Sequence, residues 1–185
     1  YTLTQDLITE PQTAAVDVCL ADWQALDGFD VDQPEQSAHL ILPKTVEART
    51  AGMIRNLAIE RPGDSGNAGY AGVRVPSPCM HVVLHWWGNP VGQSHDGVVA
   101  WLRNPVSQVS AHYVISPGRV TQILPLTTPS WANGNYQVNA TSITIEADAN
   151  DSSGTIMTIV ELLVQLGRDG ALHPDYRLSG HRDHY

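Results

Sequence analysis

The stretch His81-Val82-Val83-Leu84-His85-Trp86-Trp87 decides how this chain folds: it is short, rich in β formers, and ends at Gly88-Asn89-Pro90. Such a run, closed by turn residues, reads as a buried strand leading into a loop. Side chains alternate along a strand, so His81, Val83 and His85 share one face, while Val82, Leu84 and Trp86 share the other. His85 then stands at the strand's C-terminal end, next to a loop. In open α/β sheets that edge is where binding crevices form.

Working outward towards the C-terminus, 96–102 reads as a short helix. Residues 112–116 and 119–124 flank Pro117-Gly118 and read as a hairpin closed by a Pro-Gly turn. Residues 142–148 alternate polar and apolar, as a half-buried strand does, with Glu146 on the polar face. Ile156, Ile159, Val160, Leu163 and Leu166 then recur at helical spacing behind cap candidates at 151–153. A last short strand is expected over 176–180. Strands interleaved with helices predict an α/β fold, a mixed central β-sheet flanked by helices, with the hairpin supplying an antiparallel pair.

Towards the N-terminus, the Gly/Pro/Ser punctuation at 62–69 and 76–78 reads as a linker or long surface loop. It divides residues 1–75, an extension or the tail of a preceding module, from a main domain over 76–185. Helices are expected at 14–26 and 46–59, and no chemistry attaches to them. The opening Tyr1-Thr2-Leu3 has no initiator Met and no signal-peptide pattern, so a chain cut from a longer one is expected.

Composition removes several classes of function. A length of 185 residues with 42% hydrophobic content suits one well-buried core. No apolar run approaches the roughly 20 residues of a membrane span, so no membrane partner is expected. A net charge of −9 with scattered Arg residues argues against nucleic acid, whose phosphates require clustered cations. Cys19 and Cys79 lack CxxC companions, which disfavours a cysteine-only zinc site. One bridge or two buried thiols both remain compatible with that spacing.

The eight histidines carry more information. His85 ends the first strand, and His181 follows the last one in Ser179-Gly180-His181-Arg182-Asp183-His184, where Gly180 suits close backbone approach. Catalytic zinc takes three protein ligands and keeps one position open. It lowers the pKa of bound water from 15.7 to about 7. Two His and one Glu on separate elements facing one groove are the beginnings of such a site, with Glu146 placed to take a proton from water. Taken singly, a histidine is more often a packed or solvent-exposed residue than a ligand, and Glu146 could be an ordinary polar-face residue. The HExxH helix of another zinc peptidase class is absent.

Four fragments occur in an ordered series: 82–87 around His85, 109–115 (Val-Ser-Ala-His-Tyr-Val-Ile), 139–146 ending in Glu146, and 179–183 around His181. Together they resemble the type 2 N-acetylmuramoyl-L-alanine amidases, a family that includes animal peptidoglycan recognition proteins and small phage amidases. Ser130-Trp131-Ala132-Asn133-Gly134-Asn135 looks most like amidase modules of endolysins from phages of actinobacteria, mycobacteriophages included. The resemblance spans roughly 80–185. It implies the peptidoglycan-amidase fold and a Zn2+ cofactor held by His85 and His181. It also implies Glu146 as catalytic acid/base, and Trp86, His112 and Trp131 as groove residues. Asn139 matches a position that shapes the turn before the glutamate strand.

Some members carry a catalytic Tyr before the position of His112; here that position is Ala111, which leaves the role to Glu146. The family's third ligand, an Asp or Cys, normally lies downstream of the second His. It is therefore expected past Tyr185, or replaced by Asp183 or His184. The implied partner is peptidoglycan, glycan strand and stem peptide, acted on by a monomer. The implied setting is the bacterial cell wall, reached from the host cytoplasm when a phage lyses its host. A non-catalytic peptidoglycan-binding module on the same fold is the alternative.

Overall fold

A computed structural model describes residues 56–69, 75–87 and 92–184. Its elements run β1 (Ile59–Glu60), β2 (Cys79–Trp87), α1 (His95–Arg103), β3 (Tyr113–Ser116), β4 (Arg119–Gln122), α2 (Tyr136–Thr141), β5 (Ile143–Asp148), α3 (Ser152–Arg168) and β6 (Leu172–Gly180). Short 3-10 turns occupy Pro105–Ser107 and His181–His184. The six strands form one sheet in the order β1-β4-β3-β5-β2-β6. Only β3 and β4, joined by the hairpin, run antiparallel; the other pairs are parallel. The mixed sheet expected from the sequence is the one observed.

Alternation along the strands sorts the two faces. Val82 and Leu84 of β2, Ile143 and Ile145 of β5, Tyr113 and Ile115 of β3 and Val120 of β4 pack under α3. That helix contributes Ile159, Leu163 and Leu166, three of the helical-period residues read from the sequence, together with Leu162. Asp151 caps α3 by accepting from the Gly154 N–H at 3.1 Å. On the other face a smaller cluster of Trp87, Val98, Leu102, Ala111, Val114 and Ile123 anchors α1. The β2–β6 register shifts between Cys79 and His81; Cys79 packs in the α3 core, while His81 lies on the face of His85.

The hairpin tip takes the expected geometry: Gly118 has a φ of 70°, and its N–H donates to Thr158 Oγ1 of α3 at 2.7 Å. Pro117 sits against the first turn of α3, where a Cβ added at Gly154 would come within 2.9 Å of it. Local packing therefore ties the antiparallel pair to the helix beneath it.

The structure departs from the sequence reading at several elements. The helix expected over 46–59 does not reach its end: Ile59 is in strand β1, pairing with Val120 at what would otherwise be the open edge of β4. Its earlier part, and the helix expected at 14–26, lie outside the described residues, as does Cys19. Helix α2 was not foreseen; Asn135 caps it through bonds to the N–H groups of Gln137 and Val138. Strand β6 begins at Leu172 and not at Tyr176: Leu172 already pairs with Cys79 of β2, and the pairing resumes at Arg177.

Residues 57–69 fasten onto the sheet rather than hanging from it. Leu57 N–H donates to Gln165 Oε1 on α3, and Arg61 Nε to Gln122 Oε1 on β4. Ser65 N–H bonds Ile123 O at 2.7 Å, and Gly69 N–H bonds Pro129 O at 2.9 Å. Asn67 is buried, its Nδ2 donating to Leu102 O, Asn104 O and Ser107 Oγ at the end of α1.

Candidate active site

Strand register builds the site. Strands β2 and β5 are parallel neighbours with His85 directly opposite Glu146, about 4.8 Å away across the ladder. Strand β6 flanks β2 on its other side, with Gly180 opposite Leu84. The next residue, His181, thus arrives level with His85, and the two imidazole centroids lie 4.2 Å apart at an interplanar angle of 34°. Glu146 is itself opposite Val114 of β3. Three residues from widely separated sequence positions meet because three strand ends are adjacent.

Burial sets the protonation states. The Glu146 carboxyl is pushed up to about 7 by desolvation, which disfavours the carboxylate. A group balanced near neutral pH can both take and return a proton. Desolvation also lowers His85 to about 4, with the neighbouring His181 contributing, and Asn133 opposing through a hydrogen bond. His181 is lowered as well, by burial and then by His184. Both rings are consequently neutral imidazoles at pH 7, the form that donates a lone pair to a metal. Two neutral imidazoles in ring contact offer two nitrogen donors of the kind zinc takes.

Asn133 was not singled out from the sequence. It is fully buried, and its Oδ1 lies 2.8 Å from His85 Nε2. Asn139, whose part in shaping the turn was expected, holds it: Asn139 Oδ1 accepts from Ala132 N, Asn133 N and Asn133 Nδ2. The signal available was Asn133 beside Gly134, but nothing local revealed that its partner would be a histidine 48 positions away.

The remaining candidates are placed differently. His112 has no exposed surface. Its Nδ1 accepts from Thr144 N at 3.0 Å, and its Nε2 donates to Thr128 O at 3.0 Å. Both nitrogens are spent on holding β3, β5 and the 128–130 turn together, so His112 does not reach a groove. Trp86 stands opposite Ala147, on the α3 face of the sheet and away from His85, with 38% of its surface exposed. Trp131 is half-buried in the loop that carries Asn133, bonded through its backbone to Ser110. Trp87 is core, set edge-on to His95 at 6.0 Å.

Neither substitute for the third ligand joins the pair. Asp183 Oδ2 accepts from Gly180 N at 2.9 Å, and His184 Nε2 bonds Ser179 Oγ at 2.8 Å, which His81 Nε2 also bonds at 2.7 Å. Among the described residues no three His, Cys, Asp or Glu side chains gather as a metal requires. Gly180 does not owe its place to close backbone approach: a Cβ there would meet only Asp183 Oδ2, at 3.9 Å.

Strand order, register and the helix-covered faces define an α/β protein of the amidase and peptidoglycan-recognition fold. Residues 76–185 match the N-acetylmuramoyl-L-alanine amidase family, and the chain belongs to it. N-acetylmuramoyl-L-alanine amidase A of Achromobacter lyticus is 28% identical over 111 residues, covering 59% of this chain and 58% of that protein. The chain thus spans little more than half the length of that curated relative. A mutant endolysin from Bacillus subtilis superposes with a TM-score of 0.56 at 21% identity, over 69% of this chain and 86% of that one. Peptidoglycan recognition protein SD from Drosophila gives 0.53 at 20% identity, over 68% and 83%.

Proposed function

We propose that this chain is a zinc-dependent N-acetylmuramoyl-L-alanine amidase, acting on bacterial peptidoglycan in phage-induced lysis of the host. The observation that carries the reading is the juxtaposition at three strand ends: Glu146 opposite His85, and His181 in ring contact with His85. His85 and His181 would hold the ion. When bound, zinc supplies Lewis acidity, polarising the scissile carbonyl and acidifying the attacking water.

Glu146 does the proton work. Its carboxylate accepts a proton from the water whose oxygen bonds the lactyl carbonyl carbon of N-acetylmuramic acid. The same carboxyl then delivers that proton to the nitrogen of L-alanine as the C–N bond breaks. A lactyl carboxylate and a free stem-peptide amine leave. Burial of Glu146, which holds its pKa near neutrality, suits both halves of the transfer. Trp131, in the loop beside the pair, is the remaining candidate for contact with sugar or peptide.

The test is zinc content together with release of free L-alanine amino termini from purified peptidoglycan. The chain, a form extended past Tyr185, and that form carrying Glu146→Gln are compared. The extended form is expected to hold one zinc and cleave, and Glu146→Gln to keep the metal while losing about 100- to 10,000-fold in kcat. An extended form that neither binds zinc nor cleaves would favour the non-catalytic binding module. The absence of a third ligand among the described residues is the observation on that side.

A further inference from the structure

The hydrogen-bond directions around Asn133 can be read without ambiguity from the backbone outward. Asn139 receives the backbone N–H groups of Asn133 at 2.9 Å and Ala132 at 3.3 Å. A backbone N–H only donates, so the receiving atom of Asn139 is its carbonyl oxygen. The Asn133 atom that meets that oxygen at 3.0 Å is therefore its amide nitrogen. The other end of the Asn133 amide is then its oxygen, 2.8 Å from His85 Nε2. An amide oxygen only accepts, so Nε2 carries the proton, and the lone pair of the neutral ring is on Nδ1.

We propose that Asn133, locked by Asn139, is a positioning residue that fixes His85 as the Nε2–H tautomer and thereby makes Nδ1 its metal-ligating nitrogen. The metal half of this inference rests on the zinc reading above; the tautomer half does not. All three side chains are buried, Asn133 and Asn139 with 0% and 4% of their surface exposed and His85 with 8%, so water competes weakly for these bonds. A histidine ligand whose second nitrogen donates to a protein oxygen has its ring orientation and tautomer set in advance, and losing such a partner typically weakens metal binding 10- to 100-fold. Here the partner is a side-chain amide, itself oriented by two main-chain donors, so the ligand geometry is referred back to the backbone of the 131–134 loop.

The experiment is long-range proton–nitrogen NMR of the histidine rings in the metal-free, nitrogen-15-labelled chain at pH 8, followed by titration with zinc chloride. His85 is expected to show a protonated Nε2, with its Nδ1 signal moving on zinc addition. Asn133→Ala is expected to give a mixture of tautomers and a zinc affinity lower by about 10- to 100-fold. Asn139→Asp, which keeps the accepting oxygen, is expected to retain the wild-type pattern. His112 is the internal control for folding: its Nε2–H, bonded to Thr128 O, should be unchanged in every variant. Should Asn133→Ala leave both the His85 tautomer and the zinc affinity as they were, the positioning role is overturned. If the tautomer responds but neither this chain nor the form extended past Tyr185 takes up zinc, the clamp stands and the zinc reading of the site fails.

Discussion

At the residue scale the site turns on one half-buried glutamate whose carboxyl is desolvated. Glu146 has a folded pKa of about 7 against 4.5 for the free side chain, raised by burial. Below pH 4.5 it is protonated in both folded and unfolded chains and costs nothing. As the pH rises through 7, the unfolded chain has already released its proton while the folded one must ionise in place, so stability falls. The loss over that window is up to about 3 kcal/mol. Replacing Glu146 with Gln removes this dependence, so in metal-free protein the stability difference between variant and wild type should shift in favour of Glu146→Gln from pH 4.5 to 8. Urea denaturation at the two pH values measures it, and a difference that stays constant would mean that Glu146 is solvated. Lowered histidines such as His112, held at about 4 by burial, give a slope of opposite sign, but it is common to both proteins.

What could be read at this scale was direction rather than environment. Alternation correctly put His85 on one face of its strand and Glu146 on the polar face of another. It could not reveal that His112 spends both nitrogens on Thr144 and Thr128, because those partners arrive only when β3 meets β5 and the following turn. The same holds for Asn133, whose partner lies on a strand far off in sequence.

At the element scale, hairpin and helix were legible because their signals are local: Pro117-Gly118 between two apolar runs, and apolar residues at helical spacing behind Asp151. Strand β1 was not, since two residues carry no period and Ile59 pairs only because β4 would otherwise present an unpaired edge. Two substitutions separate local from tertiary contributions. Leu162 of α3 is fully buried in the larger core, so Leu162→Ala should cost about 2–5 kcal/mol through lost transfer energy and a cavity. A Cβ at Gly118 would meet nothing within 4 Å, so Gly118→Ala pays only for the left-handed backbone, about 1 kcal/mol. Thermal unfolding of the two variants should rank them in that order, and equal losses would contradict the packing account.

At the scale of the whole molecule, the segment at 57–69 poses the question of where the catalytic unit starts. Family similarity begins at residue 76, and the Gly/Pro/Ser punctuation there suggested a boundary. Yet this segment ties α3, the β4 edge, the end of α1 and the 128–129 turn by hydrogen bonds from Leu57, Arg61, Ser65, Asn67 and Gly69. Two ends of the sheet's cover are joined by one stretch of chain. Removing it would expose β4 as an edge strand and leave the Leu102 carbonyl without Ser65 Oγ and Asn67 Nδ2, each lost bond costing about 1 kcal/mol or more. We therefore expect a chain starting at residue 76 to unfold at lower temperature than one starting at residue 56, and to aggregate. Asn67→Ala in the full chain should reproduce part of the loss, about 1–3 kcal/mol, without any truncation. Calorimetry on the four proteins decides it: if the chain from 76 melts with the full-length transition, the segment is a passenger on the fold, and the boundary belongs at 75.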